Sequence, residues 1–126
     1  MIAIAWREPS AAEVEARLFR AEIRELSAAT YVEIAMVLMG LGRQAPERAA
    51  DLLRRFIEDA GITVVPFDAP QAAAAAAAGL QFGKGRHPAR LNFGDSFAYA
   101  LAKVSGEPLL CKGADFARTD VALVTP

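Results

Sequence analysis

Apolar positions along this chain follow two rhythms, a helical spacing and short β-branched runs. "SAAEVEARLFRAEI" (10–23) sets Val14, Leu18 and Ile23 on one side of a helix opened by Pro9-Ser10. "LSAA" (26–29) reads as a short buried strand or turn, and Thr30 to Leu41 as a strongly apolar helix closed by Gly40 and Gly42. "PERAADLLRRFIEDAG" (46–61) begins with Pro, ends with Gly and holds Leu52, Leu53, Phe56 and Ile57 inside, a helix pattern. "ITVVPF" (62–67) is β-branched and bounded by turn residues, which predicts a strand. "DAPQAAAAAAAGLQF" predicts an ordinary helix, because Ala is the best helix former and lets neighbours approach closely. After the loop "GKGRHPARLN" the spacing predicts a helix from Phe93 to Ser105, capped by Asn92, with Phe97, Ala100, Leu101 and Val104 as its core stripe. Strand "PLLCK" (108–112), loop "GADFARTD" and strand "ALVT" (122–125) close the chain. Helices alternating with short apolar strands predict one α/β domain over residues 1–126, built on a parallel sheet.

Composition narrows the classes. Of the 126 residues 54% are hydrophobic and 23% charged, the balance of a folded domain with one core. No apolar run approaches the ~20 residues of a membrane helix. "MIAIAW" is too short for a signal-peptide core, and Arg7 follows it instead of preceding it, so the cytoplasm is the expected compartment. The single cysteine, Cys111, excludes an internal disulfide and a cysteine metal cage; its setting in "PLLCK" fits a buried structural thiol. The single histidine, His87, excludes a multi-histidine zinc site. A metal site in this chain would have oxygen ligands, which suit Mg²⁺ or Mn²⁺ better than Zn²⁺.

Some acids stand where packing does not ask for them. Glu33 is the sole charge between Ala28 and Gly42. Asp95 lies in the first turn of an apolar helix, just after Gly94. Each has a structural reading: Thr30-x-x-Glu33 and Asn92-x-x-Asp95 both have capping-box spacing, and acids in first turns gain roughly 0.3–1 kcal/mol. Asp115 follows a strand, and Asp120 is on the same loop; alone, both read as solvated. In parallel α/β folds, however, sites form beyond the carboxyl ends of the strands, where helices also begin. Glu33, Asp95 and Asp115 would then share one edge. Two carboxylates ~4 Å apart repel by about 4 kcal/mol at an effective dielectric of 20. A divalent cation removes that cost, and so held it can polarise a phosphate and activate a water.

Net charge is −1, which does not announce a nucleic-acid binder. The distribution says more. Lys84, Arg86, His87 and Arg90 stand within seven residues just ahead of Asp95. They read either as a solvated loop or, beside an acidic metal site, as a clamp on a nucleic-acid backbone. The glycines there match no phosphate-binding P-loop, since no Gly-Lys-Ser/Thr occurs.

The stretch "GKGRHPARLNFGDSFAYALAKVSGEPLLCKGADFARTD" resembles the C-terminal half of VapC-type toxins, the PIN-domain ribonucleases of bacterial toxin–antitoxin pairs. "REPSAAEVEARL", "LSAATYVEIAMVL" and "GITVVPFDA" extend the resemblance, more loosely, over nearly the whole chain. It implies a PIN-like three-layer α/β domain, a central parallel sheet flanked by helices. It implies an Mg²⁺-dependent endoribonuclease, a VapB-like antitoxin as partner and a homodimer, to which the apolar Thr30–Leu41 helix also points. Carried over by position, Glu33, Asp95 and Asp115 match family metal-site acids with a catalytic role, and Asp120 a further, accessory acid. Asp95 would then both cap its helix and bind metal. Glu8-Pro9 matches a family Glu-Pro that follows a first strand ending in Asp-x-Ser/Thr and a short helix. That strand and its Asp would fall before Met1, with "MIAIAW" at the first helix. The resemblance therefore carries an alternative: an impaired PIN-like module that only binds an antitoxin or dimerises. Weak or undetectable RNA cleavage by residues 1–126 is the corresponding expectation, restored by an extension that supplies the strand and its Asp.

Overall fold

A computed structural model describes residues 11–111 and 116–124. "MIAIAW", Glu8-Pro9, Lys112, Asp115 and Thr125 lie outside the described residues. Helix α1 (Ala11–Arg20) turns Val14 and Leu18 inward. It stops before Ile23, which is 55% exposed instead of lining the helix. Arg24 accounts for the break. Its guanidinium donates to Ala21 O (3.0 Å), Phe19 O (2.8 Å) and Ala60 O (2.8 Å). It thereby serves carbonyls at the end of α1 and at the end of a second helix, groups that no intrahelical donor reaches.

Strand β1 (Glu25–Ser27) runs directly into α2 (Ala28–Gly40). Ser27 is the N-cap, its hydroxyl accepting from the Ala29 amide at 3.2 Å. The Thr30–Glu33 capping box is therefore not formed. Thr30 is already inside the helix and buried, and its Oγ1 finds no hydrogen-bond partner among the described residues. The buried serine at the strand end supplies the cap earlier, and Glu33 falls in the second turn. Helix α3 (Pro46–Asp59) buries Ala49, Leu53 and Ile57. Leu52, expected inside, is 41% exposed, because the inner stripe follows 49, 53 and 57 at four-residue spacing. On the outer face Arg54 bridges Asp51 (2.6 Å) and Glu58 (2.9 Å).

Strand β2 (Thr63–Val65) pairs in parallel with β1, Leu26 opposite Val64. Helix α4 (Ala69–Phe82) is capped by Asp68, which accepts from the Gln71 amide at 3.1 Å. Its small Ala75 and Ala78 are buried, and it packs extensively on α5 (Phe93–Ser105). In α5 the buried positions are Gly94, Ser96, Tyr99, Ala100 and Ala102. Of the expected stripe, Ala100 is buried, Phe97 and Leu101 are half-buried, and Val104 is exposed. A helix touched by α2, α4, β1 and β3 (Leu109–Leu110) needs small side chains on several sides, so one bulky stripe does not describe it. A 3₁₀ turn (Phe116–Arg118) precedes β4 (Leu123–Val124), which pairs in parallel with β3. Cys111 is buried, as its sequence setting suggested.

The expected parallel α/β architecture is present. Among the described residues it takes the form of two parallel strand pairs, both touching α5. One core joins α1, β1, α2, α3 and the residues before β2 through Leu18, Leu26, Ile34, Leu53 and Ile62. A second joins α4, the following loop and α5 through Ala78, Phe82, Ala89, Leu91 and Tyr99. No described helix is long and apolar enough to cross a membrane. The inner face of α3 gives a direct check by urea denaturation. Leu53→Ala should cost about 2–5 kcal/mol, whereas Leu52→Ala should stay within about 1 kcal/mol.

Candidate active site

The site is organised by the first turn of α5. Asn92 holds an extended backbone, and its side chain accepts from the Asp95 amide at 2.9 Å. Asp95 Oδ2 accepts in return from the Asn92 amide at 3.0 Å. This is a complete capping box, which orients the Asp95 carboxylate at the positive end of the helix dipole. A carboxylate offers about four lone-pair sites, so capping through Oδ2 is compatible with binding a cation.

Glu33 reaches the same turn from α2. Its carboxylate lies against the Cα of Gly94, where a Cβ would overlap Oε2 and the carboxyl carbon. Gly94 thus leaves the room that the end of the Glu33 side chain occupies. Burial raises the Glu33 pKa above its ordinary value, and the charge of Asp95 raises it further. An acid from α2 is therefore held near Asp95 with the ionised form of Glu33 penalised, a penalty that a cation would relieve. The donors are all oxygen, which suits a hard divalent ion.

The other acids sit elsewhere. Asp115 lies outside the described residues. Asp120 is engaged further along α5: the Tyr99 hydroxyl donates to Oδ1 at 2.7 Å, and Lys103 Nζ pairs with Oδ2 at 2.7 Å. Those bonds hold the Asp120 carboxyl below its ordinary range, Lys103 contributing most and Tyr99 next. Tyr99 is pushed up to about 12 by burial and by its bond to Asp120. Tyr99 and Lys103 stand one and two turns beyond Asp95, and they draw Asp120 towards the middle of the helix. Among the described residues no group of three acids, histidines or cysteines is placed to share a metal ion. The structure brings Glu33 and Asp95 together and leaves Asp120 apart from them.

Ahead of α5 the basic segment is a closed loop. Leu91 N donates to Phe82 O and Lys84 N to Leu91 O, both at 3.0 Å, which pins its two ends side by side. Lys84, Arg86 and Arg90 are exposed around an open cleft of about 540 Å³. His87 is half-buried; its Nδ1 accepts from the Ala89 amide at 3.0 Å, and its ring meets Phe82 edge-on at 5.2 Å. It shapes the loop as well as lining the cleft. Arg90 has φ +54°, a left-handed conformation that glycine would adopt with less strain.

Gly94, beneath Glu33, and Tyr99, which holds Asp120, were not singled out among the candidate residues above. Gly94 left one signal, a poor helix former inside a first turn. Tyr99 left none, because its partner is 21 residues away.

Parallel strand pairs packed on helices, with two acids at the start of α5 and a basic loop ahead of it, place the chain among α/β domains. Comparison with known proteins narrows the class. The family profile described as PIN domain matches residues 1–122. The chain is 44% identical to VapC ribonuclease Mb0640 of Mycobacterium bovis, over 98% of this chain and 92% of that protein. It is 44% identical to Ribonuclease VapC of Mycolicibacterium smegmatis, over 98% of this chain and 94% of that protein. With VapC ribonuclease Mb0625 of Mycobacterium bovis it shares 46% identity, over 96% of this chain and 90% of that protein. The chain belongs to the PIN-domain family, in its VapC-type branch.

Thermal unfolding tests the carboxylate pair without any assay of activity. Glu33→Gln removes one of two like charges and should raise Tm by a few degrees in metal-free buffer; millimolar Mg²⁺ should narrow or reverse that gap by stabilising only the intact pair. Gly94→Ala should fold yet lose most of the Mg²⁺-induced shift, because the methyl displaces Glu33. Asp120 predicts a pH dependence of the opposite origin. Its pKa is lowered in the fold, so its contribution is present above the ordinary carboxylate value and is lost as pH falls through the folded one. Asp120→Asn should therefore cost less than about 1 kcal/mol at pH 7 for this half-exposed pair. The difference should vanish in acid.

Proposed function

We propose that this chain is a divalent-cation-dependent endoribonuclease toxin, controlled by a VapB-like antitoxin. The observation that carries the reading is the Glu33–Asp95 pair, pressed together over Gly94 at the start of α5 and preceded by a cationic loop. Glu33 and Asp95 would hold the ion, Mg²⁺ or Mn²⁺, and the family resemblance adds Asp115, while Asp120 stays bonded to Tyr99 and Lys103. When bound, such an ion neutralises charge on the scissile phosphodiester and lowers the pKa of water. The chain's own groups do the positioning. Asn92 fixes the Asp95 rotamer through the capping box. Gly94 leaves room for the Glu33 carboxylate. Lys84, Arg86, His87 and Arg90 line the cleft where an RNA backbone would be held. Val32 and Met36 on α2 expose large apolar side chains, which supports a surface covered in an assembly, a homodimer or an antitoxin complex. The expected compartment is the cytoplasm, where such a partner and RNA are both present.

Cleavage of a structured RNA with added Mg²⁺ and with EDTA is the test. Mg²⁺-dependent fragments are expected, and Asp95→Asn or Glu33→Gln should reduce the rate at least about a hundredfold, since loosened positioning alone can cost that much. Asp95→Asn should retain RNA binding in EDTA. Cleavage that persists in EDTA, or survives both substitutions, would rule out the carboxylate-held cation.

A further inference from the structure

The rings around the start of α5 are explained neither by the carboxylate pair nor by the core. Phe93, the first residue of α5, is 81% exposed, more than any other large apolar side chain among the described residues. Helix formation does not ask for it, since the first helical position favours Pro or an acid. Its ring meets Phe97 edge-on at 4.7 Å between centroids, and Phe97 meets Phe67 at 5.2 Å. Phe97 and Phe67 are half-buried, so the exposed ring rests on an anchored backing. Gly94 and Asp95 follow it directly, and Arg90 precedes it by three residues. Three residues of chain span at most ~11 Å. The ring, the cationic loop and the carboxylate pair therefore share one end of α5.

We propose that Phe93 is a stacking platform for an unpaired RNA base whose neighbouring phosphates are held by Lys84, Arg86 and Arg90. The inference rests on the ribonuclease reading and specifies its substrate as single-stranded or looped RNA. A base inside a duplex offers no face to a side chain, whereas a splayed base stacks on an exposed ring. Stacking engages the π-face that every base has, so the subsite tolerates any sequence. Charge decides between RNA and a second copy of this chain as the occupant. No acid occurs from Gly83 to Asn92. A two-fold contact through this patch would set the cationic loop against the same patch of its mate. A polyanion is attracted by it.

The experiment is fluorescence anisotropy on the full chain in EDTA, which prevents cleavage. The probes are an unstructured RNA oligonucleotide, the same strand with abasic positions, and a blunt RNA duplex. Phe93→Ala should weaken binding of the unstructured strand about tenfold. Phe93→Leu, apolar but without a ring, should do the same, and Phe93→Trp should restore affinity. Binding of the abasic strand and of the duplex should not change. Arg86→Ala should instead weaken all three probes and flatten their salt dependence. Full affinity of Phe93→Ala or Phe93→Leu for the unstructured strand overturns the proposal while leaving the ribonuclease reading intact. An equal loss on the abasic strand also overturns it. So does sedimentation in which Phe93→Ala converts a dimer to a monomer with RNA affinity unchanged, which would assign the ring to a second copy. If the unaltered chain binds none of the three RNAs, the proposal and the ribonuclease reading fail together.

Discussion

Packing presses two acids of like charge together. Glu33, from the middle of α2, lies on the backbone of Gly94 beside Asp95, and burial and Asp95 both raise its pKa. Nothing in the local structure of α2 calls for this. Ser27 has already capped that helix, and Glu33 stands beyond its first turn. The contact is possible because α2 meets α5 at a glycine, and a Cβ at 94 would displace the end of the Glu33 side chain. The arrangement disfavours the ionised form of Glu33, and in the function proposed above a bound cation would relieve that penalty.

The rest of the domain holds that crossing in place. Helix α5 touches both strand pairs, α2 and α4, and its small buried residues allow neighbours to close in on several sides. The alanine-rich face of α4 serves the same purpose. Its Ala78 is buried in the core that also holds Phe82, Leu91 and Tyr99, and Phe82 and Leu91 are the anchors of the basic loop. Loop and carboxylate pair are consequently mounted on one packed unit. Asp120 completes that unit from the far end of the chain by bonding Tyr99 and Lys103.

Much of this was legible in the residues themselves. The extent of α5, its Asn92–Asp95 capping box, the helix of the alanine run, and the buried Cys111 depend on local propensity and spacing, which act within one or two turns. The candidates Glu33 and Asp95 were legible too, as charges in apolar surroundings, and the basic loop as a run of cations. What local rules could not supply is which of two caps a helix uses and which face is buried on more than one side. Ser27 prevailed over Thr30 because β1 delivers it buried at the helix start. Ile23 turned outward because Arg24 was drawn to a carbonyl 36 residues away. Leu52 and Val104 face solvent because neighbours distant in sequence chose the inner stripe. The same holds for the approach of Glu33 to Gly94, the capture of Asp120 by Tyr99 and Lys103, and the backing of Phe93 by Phe97 and Phe67. The first two and the link to Phe67 are long-range contacts, and chain spacing holds no record of them. Tertiary packing decided them, because only there do side chains from separate helices compete for the same space and the same charge.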